Sequence, residues 1–133
     1  MPEVSNGESF LTQAPCRLLI VEDNEALAQT LGWMVETAGY EYLICGSGDQ
    51  ALAAAAEYAP HAAILDIGLP GMSGFELCRR LRALPALKGA KFIAQTGSSS
   101  DEYRHDALNA GFDYYIIKPV SLETLLTILK TSS

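Results

Sequence analysis

The sequence has few basic residues, and it lacks both long apolar runs and cysteines spaced for a metal site. Its 9 Lys and Arg residues are outnumbered by 16 Asp and Glu, which gives a formal net charge of −7. A nucleic-acid backbone is bound by clustered cations, so this balance argues against direct nucleic-acid binding. A helix that spans a bilayer needs about 20 apolar residues, and no run approaches that length. We therefore expect a soluble protein that does not enter a membrane.

The three cysteines, Cys16, Cys45 and Cys78, are odd in number and far apart. They show neither the even count of a disulfide framework nor the paired spacing of a zinc site. A free cysteine usually behaves as a small hydrophobic residue. We predict that all three are buried in the core.

Residues 1–15 carry Pro, Ser, Asn and Gly without the periodicity of a helix or a strand. They also lack the basic stretch followed by an apolar core that marks a secretory signal. We interpret 1–15 as a mobile tail and predict a cytoplasmic location. The remaining residues, 16–133, fit the size of one compact domain.

Short apolar runs alternate with amphipathic stretches from Arg17 onward. Apolar runs without a polar face are typical of parallel strands that are covered on both sides, and the alternation favours strands joined by helical crossovers. Helix signals agree, because Ser73 and Ser121 can cap two of the amphipathic stretches and Gly39 and Gly111 can end two others. We predict a doubly wound α/β fold with five helices and five parallel strands, at 18–21, 42–45, 62–65, 92–95 and 114–117.

The first helix is predicted at about 24–38, with an apolar face toward the sheet. Trp33 lies about a third of a turn away from that face. Partial burial against a neighbouring helix is the favoured interpretation of Trp33, and an exposed anchor for a protein partner is the alternative. The residues of the predicted apolar face are Leu27, Leu31, Met34, Val35 and Ala38.

Polar residues stand at the carboxyl ends of four of the predicted strands, where open parallel sheets bind ligands. If the first and third strands are neighbours, three carboxylates converge there, and they repel one another unless a cation neutralises them. Carboxylate oxygens suit Mg²⁺, which keeps several waters. We predict Asp23 and Asp66 as direct ligands, the backbone carbonyl of Gly68 as a third ligand and Glu22 as a ligand through water. The strand-end residues are Glu22, Asp23, Asp66, Thr96 and Lys118.

Thr96 and Lys118 add a hydroxyl group and an ammonium group to the acids. A phosphoryl group needs such partners for the oxygens that a metal leaves free. Phosphoryl transfer is therefore the leading chemistry, with Asp66 as the nucleophile. Each residue alone has a plainer interpretation, as a helix cap, a turn residue or a solvated charge, and the combination favours a site.

Four separated motifs resemble the receiver domains of bacterial two-component response regulators, over about residue 17 to the end. The resemblance fits a single-domain receiver or one attached to a hybrid sensor kinase, and it implies a flavodoxin-like strand order, 2-1-3-4-5. It also implies that a histidine kinase or a histidine phosphotransfer domain phosphorylates Asp66, with Mg²⁺ at Asp23 and Asp66. The motifs are Leu-Leu-Ile-Val-Glu-Asp-Asn at 18–24, Leu-Asp-Ile-Gly-Leu-Pro-Gly-Met-Ser-Gly at 65–74, Thr-Gly at 96–97 and Tyr-Tyr-Ile-Ile-Lys-Pro-Val at 114–120.

The same resemblance implies a switch formed by Thr96 and the aromatic residue Tyr115. A phosphoryl group at Asp66 would draw the Thr96 hydroxyl inward and leave space for the Tyr115 ring. The surface of the fourth helix, the fifth strand and the fifth helix would then change and act on a downstream protein. Tyr115 as a core or surface filler remains an alternative.

Three other functions remain open. A metal-dependent phosphohydrolase with an aspartate nucleophile is the enzymatic alternative, although such enzymes have an Asp-x-Asp motif and Asp66 is followed by Ile67 and Gly68. A flavodoxin-like cofactor module would need a phosphate-binding loop after the first strand, where Glu22 and Asp23 would repel phosphate. A receiver that docks without being phosphorylated is the third. The sequence predicts no oligomeric state.

Overall fold

The computed structural model describes residues 16–97 and 101–130. Its strands are β1 Arg17–Val21, β2 Glu41–Cys45, β3 Ala62–Asp66, β4 Lys91–Thr96 and β5 Tyr114–Ile117. They form one parallel sheet in the order β2-β1-β3-β4-β5, which confirms the predicted fold. The tail predicted at 1–15 lies outside the described residues.

Five α-helices connect and follow the strands, as predicted: α1 Glu25–Thr37, α2 Gly48–Tyr58, α3 Gly74–Arg82, α4 Asp101–Ala110 and α5 Leu122–Lys130. A short 3₁₀ helix at Pro85–Leu87 was not predicted, because three residues are too few to show a periodicity. Polar side chains before four of the helices accept a backbone N–H of the first turn, which satisfies a donor that the helix leaves free. These caps are Asn24, Ser47, Ser73 and Ser121.

The sheet is covered on both faces, and successive strand side chains alternate between two hydrophobic layers. On β3, Ala63 and Leu65 belong to the layer shared with α2, α3 and α4. Ile64 belongs to the layer shared with α1 and α5. Burial on both sides explains why the strand sequences are continuously apolar, and it leaves the carboxyl edge of the sheet as the place for polar groups.

The face that α1 turns to the sheet agrees with the prediction at Leu31 and Val35 and differs from it at Leu27 and Ala38. Its buried residues include Ala28 and Gly32, whereas the predicted Leu27 is 44% exposed and Ala38 is also exposed. The cause is the close approach of α1 to β2, since a Cβ atom on Gly32 would collide with the ring of Tyr42. The small residues Ala28 and Gly32 therefore join Leu31 and Val35 on the buried face, and Leu27 lies outside it.

Trp33 is 60% exposed, so the favoured prediction of partial burial was wrong. Trp33 is two residues from the buried Leu31 and from the buried Val35, about 200° around the helix from each. The side chain therefore lies on the side of α1 that is opposite the sheet. The alternative role, as an anchor for a protein partner, stays a prediction.

Two of the three cysteines are buried as predicted, and the third is not. Cys45 and Cys78 lie in the core, while Cys16 is exposed. Cys16 precedes β1 and is therefore outside the part of the strand that the helices cover. Burial raises the pKa of Cys45, and it raises the pKa of Cys78 to about 12. Neither buried thiol is a thiolate near neutral pH.

Iodoacetamide is expected to alkylate Cys16 alone in the folded protein at about pH 8, because only a thiolate that solvent reaches reacts readily. Intact-mass measurement should show one added group on the native chain and three after unfolding in urea, matching the three cysteines. The Cys16→Ser variant is the control and should gain none while folded. Native modification of Cys45 or Cys78 would contradict the assignment.

Within the described part of the chain, no helix has the length and apolar character needed to cross a membrane.

Candidate functional site

The carboxyl ends of the strands meet at one edge of the sheet, because all strands run parallel. Asp66 is the last residue of β3, and Thr96 is the last residue of β4. Glu22 and Asp23 follow β1 directly, and Lys118 follows β5 directly. All five strand-end residues predicted from the sequence therefore lie at this edge.

The three acids form a compact cluster. Ligand oxygens of Glu22, Asp23 and Asp66 lie within 4.8 Å of one another. Glu22 is 2% exposed and Asp66 is 7% exposed, whereas Asp23 is on the surface. The cluster is therefore buried at its base and open to solvent at Asp23. Carboxylate oxygens with one open side fit Mg²⁺, which retains several of its waters when a protein binds it.

Lys118 supplies the positive charge beside this cluster. Its Nζ atom donates a hydrogen bond to Glu22 Oε1 at 3.0 Å and another to Asp66 Oδ2 at 3.2 Å. Burial lowers the pKa of the Lys118 ammonium, but the hydrogen bonds to the two carboxylates outweigh burial, and the pKa is raised overall. The group is therefore a fixed cation at the carboxylate of Asp66.

Glu22 has two hydrogen-bond partners that the sequence did not predict. The backbone N–H of Asn24 donates to Oε2 at 3.0 Å, and the side-chain amide of Gln95 donates to Oε1 at 3.2 Å. Burial raises the pKa of Glu22, although the Asn24 N–H and the Lys118 ammonium oppose the rise. The one signal for Gln95 was a polar residue at the end of a predicted strand that is otherwise apolar, 92–95. The role of Glu22 as a ligand through water stays a prediction.

The loop between β3 and α3 is fixed against Asp66 at both of its ends. The N–H of Gly68 donates to Asp66 Oδ1 at 3.0 Å. At the other end, the N–H of Gly74 donates to the carbonyl oxygen of Ile67 at 3.1 Å, and a Cβ atom on Gly74 would lie 2.6 Å from the backbone oxygen of Asp66. Only glycine permits so close an approach of two backbones. The Gly68 carbonyl as a metal ligand stays a prediction.

Thr96 and Tyr115 lie on the same face of neighbouring strands. Tyr115 is in register with Ala94, two residues before Thr96. The Cα atoms of the pair are thus separated by about 5 Å across the sheet and about 7 Å along it. Thr96 is 5% exposed, and Tyr115 is half-buried against the layer on the side of α2, α3 and α4. This placement suits a switch pair, and the switching itself stays a prediction.

Comparison with known proteins identifies a family for most of the chain. A family model described as the response regulator receiver domain matches residues 18–130. The phosphate regulon transcriptional regulatory protein PhoB of Rhizobium meliloti is 38% identical over 114 residues, which cover 86% of this chain and 50% of that protein. The chain therefore spans about half the length of the curated relatives that it matches.

Solved structures give the same result at the level of the fold. A CheY-like response regulator receiver domain from Methanospirillum hungatei aligns with a TM-score of 0.81 at 37% identity, over 88% of this chain and 92% of that one. The receiver domain of the sensor histidine kinase PA1611 from Pseudomonas aeruginosa aligns with a TM-score of 0.80 at 29% identity, over 88% and 96%. That structure has a magnesium ion coordinated in its active-site cleft.

Proposed function

Since this chain belongs to the response regulator receiver domain family, a phosphoacceptor module of two-component signalling, we propose that Asp66 is the residue that accepts the phosphoryl group. The observation that supports it best is the pair of hydrogen bonds from Lys118 to Asp66 and Glu22. A lysine placed between two buried carboxylates can bind a phosphoryl oxygen once one of the carboxylates carries the phosphoryl group as an acyl phosphate. Of the two carboxylates, Asp66 is the one that is the last residue of a strand, and it belongs to the acidic cluster that is open to solvent at Asp23.

Receiver domains bind Mg²⁺ in an acidic pocket, and the acidic cluster fits that ion. In our proposal Asp23 and Asp66 hold it directly, the Gly68 carbonyl adds a third oxygen and Glu22 acts through water. The ion would neutralise part of the negative charge that a phosphoryl group brings to the carboxylates. Asp66 Oδ then forms a bond to phosphorus while the bond from phosphorus to the donor breaks. Lys118 and the Thr96 hydroxyl each bind an oxygen of the transferred group.

The phosphodonor in this proposal is a phosphorylated histidine of a histidine kinase or of a histidine phosphotransfer domain. The Tyr115 ring moves toward Thr96 once Asp66 is phosphorylated, and the surface of α4, β5 and α5 changes with it. This surface would then bind a downstream protein. The added charge of a phosphoryl group can change a surface in this way when a neighbouring part of the structure has two stable positions.

The test of this function is phosphorylation by acetyl phosphate with Mg²⁺, followed by intact-mass measurement. The native protein is expected to gain one phosphoryl group, Asp66→Asn is expected to gain none, and removal of Mg²⁺ with EDTA should prevent the gain. Asp49→Asn is the matched control, because Asp49 is an exposed acid in the first turn of α2; it should behave as the native protein. An undiminished gain in Asp66→Asn would refute the assignment.

A phosphohydrolase and a docking module that is never phosphorylated are the alternatives to a phosphoacceptor. The same reaction separates them, because a hydrolase would release phosphate from small phosphomonoesters through many turnovers. A docking module would show no mass gain in the native protein. A single gain without sustained turnover is the result that we expect.

A further inference from the structure

The guanidinium group of Arg104 lies over the ring of Tyr115. Its Cζ atom is 5.2 Å from the ring centroid, within the roughly 6 Å at which a cation and an aromatic face attract each other. Arg104 is the fourth residue of α4 and is exposed, while Tyr115 is a half-buried residue of the edge strand β5. The cation therefore covers the ring from the solvent side.

The neighbouring residue, Tyr103, ties the same turn of α4 to α3. Its ring meets the ring of Phe75 edge to face, with 6.2 Å between the centroids. Phe75 follows Gly74, whose backbone lies against the backbone of Asp66. The first turn of α4 thus has two contacts. Tyr103 contacts Phe75, near the loop that follows Asp66, and the guanidinium of Arg104 contacts the ring of Tyr115 on β5. The contact between Tyr103 and Phe75 is the one that does not depend on Tyr115.

A movement of the Tyr115 ring toward Thr96 would change its contact with Arg104. Thr96 lies one strand away and two residues further along the sheet, whereas Arg104 is attached to α4 above the present ring position. The attraction between a cation and a ring falls once the cation no longer lies over the ring face. The contact therefore favours the present position of the ring over any position in which the ring has left the guanidinium.

We propose that Arg104 is a positioning residue that holds the Tyr115 ring in its present place, beneath the guanidinium, until Asp66 is phosphorylated. This inference rests on the proposed function, in which Thr96 and Tyr115 form the switch. Arg104 then sets how often the unphosphorylated protein adopts the switched position. Losing a contact of this strength is expected to raise the population of that position by about two- to fivefold.

The experiment is ¹⁹F NMR of protein labelled with 3-fluorotyrosine, before and after phosphorylation by acetyl phosphate with Mg²⁺. The chain has six tyrosines, and the Tyr115 signal is assigned as the one lost in Tyr115→Phe. In the native protein this signal should move on phosphorylation. In unphosphorylated Arg104→Gln it should already be displaced toward the phosphorylated position, and Arg104→Lys, which keeps a cation, should be displaced less.

Arg79→Gln is the matched control, since it removes the same charge from an exposed arginine whose partner is Glu76 on the same helix. It should leave the Tyr115 signal unchanged. An unshifted signal in Arg104→Gln, or equal shifts in the two glutamine variants, would overturn the role of Arg104 while intact mass still shows phosphorylation of Asp66. Absence of any mass gain in the native protein would instead overturn the proposed function together with this inference.

Discussion

Replacing Lys118 with methionine is expected to slow phosphorylation of Asp66 by acetyl phosphate by about 100-fold, the usual effect of removing one positioned group that stabilises charge in a transition state. Methionine keeps an unbranched side chain but cannot donate the hydrogen bonds that Lys118 makes to Asp66 and Glu22. The carboxylates would still bind Mg²⁺, but the phosphoryl oxygen that Lys118 binds in our proposal would lose its positively charged partner. The rate is measured by intact mass at successive times.

Lys130→Met is the matched control for this variant. Lys130 is an exposed lysine in the last turn of α5, so the substitution removes the same charge far from the acidic cluster. Its phosphorylation rate should stay within about twofold of the native rate. A Lys118→Met rate in that same range would show that Lys118 takes no part in the transfer.

The same variant should also change how stability depends on pH. Burial already raises the pKa of Glu22 in the native protein. A carboxyl group with a raised pKa stabilises the fold below its unfolded pKa, and that contribution is lost as the pH rises through the folded value. Without Lys118 the pKa of Glu22 rises further, so Lys118→Met should lose more stability than the native protein as the pH rises above the ordinary pKa range of a glutamate. Equal losses in thermal unfolding experiments would contradict this coupling.

The site at the carboxyl edge of the sheet could be predicted from the sequence, because four of the strands are short apolar runs that are followed by a polar residue. Asp66, Thr96 and Lys118 each mark such an end, and parallel strands bring their ends together whatever the loops between them do. The order of the strands was a further requirement, since only neighbouring β1 and β3 bring Asp23 to Asp66. The sheet has that order.

Contacts that depend on side-chain packing could not be predicted in the same way. Gln95 reaches Glu22 from 73 positions along the chain, and no local pattern indicates such a pair. The face of α1 was predicted correctly at Leu31 and Val35, but Gly32 was missed, because hydrophobicity does not indicate a glycine that the ring of Tyr42 approaches closely. Cys16 was misassigned because composition reports what a residue type usually does, not where a strand begins.

Replacing Phe92 with alanine is expected to destabilise the fold by about 3–5 kcal/mol, the usual cost of truncating a buried phenylalanine. Phe92 is fully buried in β4, between β3 and β5. Its ring also supports the guanidinium of Arg82, whose Cζ atom is 4.5 Å from the ring centroid and which forms an ion pair with Asp113 at 2.7 Å. Urea unfolding measures the loss, and a drop below about 1 kcal/mol would mean that the site refills by repacking.

Leu108→Ala is the control for that truncation, because Leu108 is 64% exposed and such surface changes stay within about 0.5 kcal/mol. The Phe92 variant also tests whether stability and phosphorylation rate are independent. Phe92 lies four residues before Thr96, toward the other end of β4. The folded fraction of Phe92→Ala should therefore be phosphorylated at the native rate under conditions where unfolding is negligible. A slower rate in fully folded protein would mean that packing at the start of β4 controls the geometry of Asp66, and the strand-end site would then depend on the core beneath it.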